Sequence, residues 1–305
     1  MEIDITRTAR RRPPHRIVVS TDAANEVDDQ FAIAHALLSP TLDVRAVVPA
    51  HFGRPGSLEA SGREVRVLQR LAGTSVPVAD GSRGPLADED TPAPSAGSRL
   101  LVEEAMGDPR RLYVAVLGPL TDVASALLEE PAVAERDVVV VWVGGPPYEH
   151  VAAYAPEFNL SNDVAAANVV VRSGLPLWQI PMDVYTMVSV GHEELAQRLG
   201  GTSALGDHLV DAVVAFNAEV DYGPMDFRSL GDSPAVGAVM NPAAGRWRER
   251  PAPTFTRDGG LAPGPEGRTV RVCEAFDTRW LIEDLVAKLR AFGTHGSPRE
   301  ARTRP

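Results

Sequence analysis

The chain has a single cysteine, Cys273, so neither an intramolecular disulfide framework nor a cysteine-rich metal site is open to it. Cys273 itself reads as a small buried hydrophobe in a strand. Positive charge is also scarce: 30 Lys and Arg stand against 41 Asp and Glu, a formal net charge of −11. A general nucleic-acid binder needs a basic face to displace counterions, and this balance argues against one. It does not exclude a nucleoside, which carries no phosphate. No apolar run approaches the roughly 20 residues that a membrane span requires. The opening MEIDITRTARRRPPHR has basic residues with no apolar stretch behind them and does not read as a signal peptide. A cytoplasmic enzyme with no nucleic-acid or membrane partner is the expectation. Residues 1–14 read as a disordered arm, 15–293 as one domain, and 294–305 as a polar, proline-broken tail.

What is present is an alternation of short β-branched runs and longer helical patterns. Strands are predicted at 16–21, 42–49, 112–118, 137–145 and 177–183. Helices are predicted near 28–38, 57–72, 96–106, 120–129, 163–173, 204–220, 232–240 and 278–292. Several strands are continuously apolar, as in a parallel sheet covered by helices on both faces. The pattern gives an α/β fold, a single doubly wound, Rossmann-like and mostly parallel sheet. Residues 79–98 read as a long surface loop, and 241–268 as an edge hairpin or an excursion rather than a domain boundary.

Ligands of such sheets sit beyond the carboxyl ends of the strands. There the chain places TDAANEVDD, AHFG, GPLTD, GGPPYEH and DVYT. In the first of these, Asp22, Glu26, Asp28 and Asp29 crowd the junction between a strand and a helix. One aspartate there is explained by helix capping, since a helix N-terminus welcomes an anion. Several together exceed what a cap needs, and a hard divalent cation with oxygen ligands, Ca²⁺ or Mg²⁺, would neutralise them. The spacing is not that of an EF-hand loop.

TDAANEVDD resembles a lengthened DTDPGxDD signature of the nucleoside hydrolase (inosine–uridine-preferring) family. VAVLGPLTDVASALLEEP (114–131) is similar to the family's ALGPLTNIAxAL segment, and VVWVGG (140–145) to its strand ending in MGG. PEFNLSNDVAAANVVVRSGLPLWQIPMDV (156–184) resembles EFNxxxDPEAAxxVxxSGxPxxxxPLDV, and LGDSPAVGAVMNP (230–242) resembles HDPLAVAxxLDP. The matches run in family order over residues 16–242, which leaves a closing strand and helix for the remainder.

The resemblance implies a nucleoside hydrolase fold and a hydrolase that releases ribose and base from a ribonucleoside or a similar compound. It implies one Ca²⁺ held by Asp22, Asp29, the carbonyl of Leu117 and Asp232, with Asp22 taking a proton from the attacking water. Asp28 would hold a ribose hydroxyl, and Glu157 and Asn159 the sugar's outer hydroxyls. A homodimer or homotetramer is implied as well. Read without the resemblance, Glu157 and Asn159 could simply satisfy loop backbone groups, and Asp163, Asp183 and Asp122 are explained by caps and turns.

The chain departs from the family pattern at three places. The first loop is two residues longer, which makes Asn25 and Glu26 candidates for substrate contact. The second loop ends in PAHFG where the family has an asparagine, which places His51 or Phe52 there; His51 reads equally as a packed loop histidine. Where the family has the histidine that protonates the leaving base, this chain has Gly231. Then either another side chain serves, with His51, Tyr185, Tyr222, Arg228 and His150 as candidates, or the leaving group is an unusual one that needs no acid, such as a pyridinium. A silent or repurposed member that binds a ribosyl ligand, or a hydrolase of another glycoside, is the alternative. Trp142 and Trp178 lie inside predicted strands and read as core.

Overall fold

The structure, a computed structural model, describes residues 13–149, 156–221 and 223–295. His150, Tyr222, most of the N-terminal arm and nearly all of the tail lie outside them. Along the chain, β1 (His15–Thr21) leads to α1 (Asp28–Leu38), β2 (Leu42–Pro49), α2 (Ser57–Leu71), α3 (Ala96–Gly107) and β3 (Leu112–Val116). Then come α4 (Thr121–Glu129), β4 (Val138–Val143), the one-turn α5 (Phe158–Asn162), α6 (Val164–Ser173) and β5 (Leu177–Ile180). Next are α7 (Met182–Tyr185), β6 (Ser189–Gly191), α8 (His192–Leu199), α9 (Ala204–Glu219) and β7 (Phe227–Ser229). The chain closes through α10 (Ser233–Met240), β8 (Gly245–Pro251), β9 (Pro253–Phe255), β10 (Leu261–Pro263), β11 (Thr269–Phe276) and α11 (Thr278–His295).

Seven strands form one sheet in the order β2-β1-β3-β4-β5-β11-β8. All neighbours are parallel except β8, which runs antiparallel to β11 at the edge. The single α/β domain with a mostly parallel, doubly wound sheet is therefore as the sequence indicates. Each face carries its own apolar cluster. One is built around Phe31, Leu37 and Leu285, the other around Trp142, Leu120 and Phe255. β4, the run VVVVWV, is buried along its whole length because helices cover both of its faces. Trp142 and Cys273 are core residues, 0% and 1% exposed. Among the described residues no helix is long and apolar enough to cross a membrane.

The differences from the sequence reading have local causes. The predicted strand 177–183 ends at Ile180, because Pro181 cannot donate to the ladder and the chain turns into α7. The region 241–268 holds both a sheet edge, β8, and a small antiparallel hairpin, β9–β10. Its alternating arginines hide an edge strand from a pattern search, since Arg246 and Arg248 face solvent and pair with Glu274. The β6–β7 ribbon and α8 are too short and too polar to stand out in sequence. The closing strand and helix are β11 and α11.

Candidate active site

The acidic loop lies where the carboxyl ends of β1 and β3 face the starts of α1 and α10. Ligand oxygens of Asp28, Asp29 and Asp232 lie within 4.8 Å of one another, so the residue 204 positions downstream is brought against the first loop by the fold. None of the three serves as a side-chain cap. The N-cap of α1 is Val27, and Asp232 heads α10 without a side-chain capping bond. The capping account of Asp28 and Asp29 therefore does not hold.

Each carboxylate is held in a poor environment for charge. Asp22 is 2% exposed, and its Oδ2 finds no hydrogen-bond partner among the described residues. Burial, then repulsion from Asp29 and Asp28, push its carboxyl well above the usual range. Burial raises Asp232 in the same way, with repulsion from Asp28, Asp29 and Asp22 adding to it. Asp28 is raised by burial and by Glu26, and the charge of Arg228 opposes that rise. Asp29 rises only to about 6, because burial is countered by hydrogen bonds from Thr21 and Asp232. Thr21 went unnoticed in the sequence. Nothing marks it there except its place at the end of β1, from which its hydroxyl donates to Asp29 Oδ1.

Buried, mutually repelling carboxylates with an unpartnered oxygen make an all-oxygen set that fits a hard divalent cation. Asp28 groups with Asp29 and Asp232 more tightly than the resemblance implies, and Asp22 lines the same space from β1. Asp22 stands against Gly118, where an added Cβ would lie 2.8 Å from Asp22 Oδ1. A side chain there would displace the carboxylate, so the glycine of GPL keeps room for it.

The other expected site residues divide. The Leu117 carbonyl, implied as a metal ligand, accepts the Asn159 amide at 2.8 Å, and the same NH₂ group donates to the Val143 carbonyl at 2.9 Å. The amide nitrogen of Asn159 thus ties β3 to β4. Glu157 accepts from the backbone N–H of Gly145 and Leu160 at 2.8 Å each, from Asn159 N–H at 3.1 Å and from the Tyr185 hydroxyl at 2.9 Å. It caps α5, as the backbone-satisfying alternative anticipates.

His51 is fully buried. Its Nδ1 accepts from Gly53 N–H at 3.3 Å, and its Nε2 meets the Thr121 hydroxyl at 3.0 Å, which in turn donates to Asp163 Oδ2 at 2.6 Å. Burial lowers its pKa to about 4, so it stands neutral in a packed chain of hydrogen bonds. Phe52, 8% exposed, packs into the loop, with its N–H on Ser57. Asp163 and Asp122 are structural as expected: Asp163 caps α6, and Asp122 accepts from Ser82 N–H and the Ser95 hydroxyl.

The first-loop insertion has a partner. Glu26 forms an ion pair with Arg228 of β7, whose side chain is 7% exposed. Asn25 closes a turn through its N–H to the Asp22 carbonyl at 2.8 Å. At Gly231 an added Cβ would lie 2.9 Å from the Tyr185 ring and 3.2 Å from Asp28 Oδ2. Tyr185 thus occupies the room that a side chain at 231 would need. Burial, together with the charges of Glu157, Asp232 and Asp28, pushes its phenol far above the usual range.

The sequence profile of the family described as inosine-uridine preferring nucleoside hydrolase matches residues 17–282. The chain belongs to this family. Among curated relatives, the chain is 25% identical to the probable uridine nucleosidase 1 of Oryza sativa over 60% of its own length and 63% of the relative's. It is 28% identical to the pyrimidine-specific ribonucleoside hydrolase RihA of Citrobacter koseri over 64% of its length and 70% of the relative's. The chain spans less than two thirds of the length of the first such relatives, 63%, 66% and 61%. Among solved structures, a plant nucleoside hydrolase superposes with a TM-score of 0.78 at 21% identity, over 92% of this chain and 100% of that one. A purine-preferring ribonucleoside hydrolase from Gardnerella vaginalis gives 0.75 at 19% identity, over 91% and 99%. At those identities the superpositions speak for the fold.

Proposed function

We propose that this nucleoside hydrolase cleaves the N-glycosidic bond of a ribonucleoside or nucleoside-like compound with a divalent cation, Ca²⁺ by preference and Mg²⁺ as the substitute. The observation that carries the reading is the convergence of Asp28, Asp29 and Asp232, none of which makes a side-chain cap, with Asp22 close enough to feel the charges of Asp28 and Asp29. The bound cation would supply positive charge that anchors the ribose diol and makes a nearby water more acidic.

The chain's own residues divide the remaining work. Asp28, Asp29 and Asp232 would hold the cation, and Asp22, whose Oδ2 has no hydrogen-bond partner among the described residues, accepts the proton of the attacking water. Rupture of the C1′–N bond leaves positive charge on the sugar, which the anionic oxygens around it stabilise. Asp28 also suits a ribose hydroxyl, since it is the half-buried member of the set. Asn25 and the Asn159 side-chain oxygen remain candidates for the sugar, whereas Glu157 acts by holding α5 and Tyr185 in place. Assembly into a homodimer or homotetramer belongs to the same proposal.

The test is release of ribose and base from a panel of ribosides, before and after chelation and with Ca²⁺ or Mg²⁺ restored. Turnover lost on chelation and recovered with the cation supports the reading. Turnover that survives chelation overturns the metal mechanism. Cation binding without turnover of any riboside favours a repurposed ligand-binding member.

A further inference from the structure

The family resemblance leaves the departing base without a proton donor at position 231; the Tyr185 hydroxyl is given to Glu157 at 2.9 Å, and His51 is locked between Gly53 and Thr121. Among the described residues, the cation whose charge acts on the acidic site is Arg228. It lies in β7, three residues before Gly231, and its ion-pair partner Glu26 lies two residues before Asp28. The added Cβ position at 231 is 3.2 Å from Asp28 Oδ2, so Asp28 is flanked by Gly231 and by the Arg228–Glu26 pair. The guanidinium carbon sits 4.5 Å from the centre of the Phe216 ring, a cation–π contact that helps to hold it in place.

An arginine cannot give up a net proton at neutral pH, but its fixed charge and N–H groups can hold an anion. A purine or pyrimidine leaves as an anion when no acid protonates it. We propose that Arg228, positioned by Glu26, stabilises the departing base as an anion and takes over the task of the side chain absent at 231. This rests on the reading of the chain as a riboside hydrolase. In the step, the C1′–N electron pair passes to the base nitrogen, the water oxygen bonds to C1′, and its proton goes to a site carboxylate. The base anion is then protonated by solvent. The fixed cation also sets the substrate class: neutral nucleosides are favoured, and cationic pyridinium ribosides are repelled.

The experiment compares wild type, R228Q, R228K and E26Q on inosine, uridine, nicotinamide riboside and 4-nitrophenyl β-riboside, all loaded with Ca²⁺. The nitrophenolate of the last leaves without help, so its release reports an intact sugar site. R228Q is expected to lower kcat on inosine and uridine by about 10²–10³-fold, the loss typical of an anion-stabilising donor. On 4-nitrophenyl riboside it should lose less than about threefold. R228K recovers part of the nucleoside activity, and E26Q shows the same substrate bias at about tenfold. Equal losses on every substrate would mean that the pair only braces the loop, and the proposal falls. So does wild-type preference for nicotinamide riboside. If R228Q does not fold, as judged by its thermal melt, the E26Q and R228K substrate profiles decide in its place. Failure of wild type to cleave any of the four sinks the hydrolase reading itself, which separates that failure from this one.

Discussion

Two groups of buried aspartates stand at the carboxyl edge of the same sheet, and the chain treats them oppositely. Asp163 receives the Thr121 hydroxyl at 2.6 Å and the N–H groups of Leu86 and Ala166 at 2.9 Å each. Asp122 beside it receives Ser82 N–H at 3.0 Å and the Ser95 hydroxyl at 2.6 Å, with only its Oδ2 left over. In the other group, Asp22, Asp28, Asp29 and Asp232 face chiefly one another. Protein partners for them are few: the Thr21 hydroxyl donates to Asp29, and the charge of Arg228 acts on Asp28. A buried carboxylate is stabilised either by donors built into the fold or by a charge from outside. The first group is satisfied by the fold, and the second fits a cation.

The largest expected effect tests the second group. Asp232→Ala or Asp29→Ala should remove cation binding by calorimetry and lower turnover by about 10³-fold or more. Retained Ca²⁺ affinity in either variant would put the cation elsewhere. Adding Ca²⁺ to wild type should raise Tm by several degrees, through preferential binding to the folded state, and neither variant should respond. For the first group, Asp163→Ala should cost about 3 kcal/mol in chemical denaturation, because it strands three donors and removes a helix cap. Cation affinity should be unchanged, and a large change would dissolve the contrast between the groups.

A smaller effect is expected at the boundary of the acidic site. Gly231→His alone should destabilise by about 1–3 kcal/mol, since its Cβ meets the Tyr185 ring at 2.9 Å. Combined with Tyr185→Ala the cost should shrink, and only the pair can test whether a histidine there speeds purine release. Additive costs in the two variants would show that Tyr185 does not fill that space.

The smallest effect lies far from both groups. Burial lowers His35 to about 4 in the fold despite its 2.7 Å bond to Asp284. The unfolded chain therefore binds the proton more readily than the folded one. The contribution is fully present above about pH 6.5 and is lost as pH falls through the window down to about 4. Stability should fall by about 1–2 kcal/mol between pH 6.5 and 5, and His35→Gln should flatten that slope. A slope unchanged by the substitution would assign the titration elsewhere.

Much of this was readable in advance where the signal is local. The apolar runs of β1 to β5 announce a covered parallel sheet, and the order of TDAANEVDD, GPLTD, EFN and GDS announces the family. Residues whose roles depend on distant partners were not readable. His51 in a loop looks like a candidate acid until Thr121 and Asp163 are seen to hold it. Glu157 reads in sequence as a sugar ligand, and only the fold shows that Gly145, Leu160 and Tyr185 also donate to its oxygens.

The sequence by itself determined the α/β class, the family and the surplus of carboxylates at the first loop, because hydrophobic period and short motifs are written along the chain. Only the tertiary structure decided that Asp232 joins Asp28 and Asp29, that Tyr185 fills the room beside Gly231, and that the inserted Glu26 is bound to Arg228. Each of these is a contact across 40 or more residues. Burial and charge pairing act through space, and the linear order of residues carries no record of which distant groups will share a cavity.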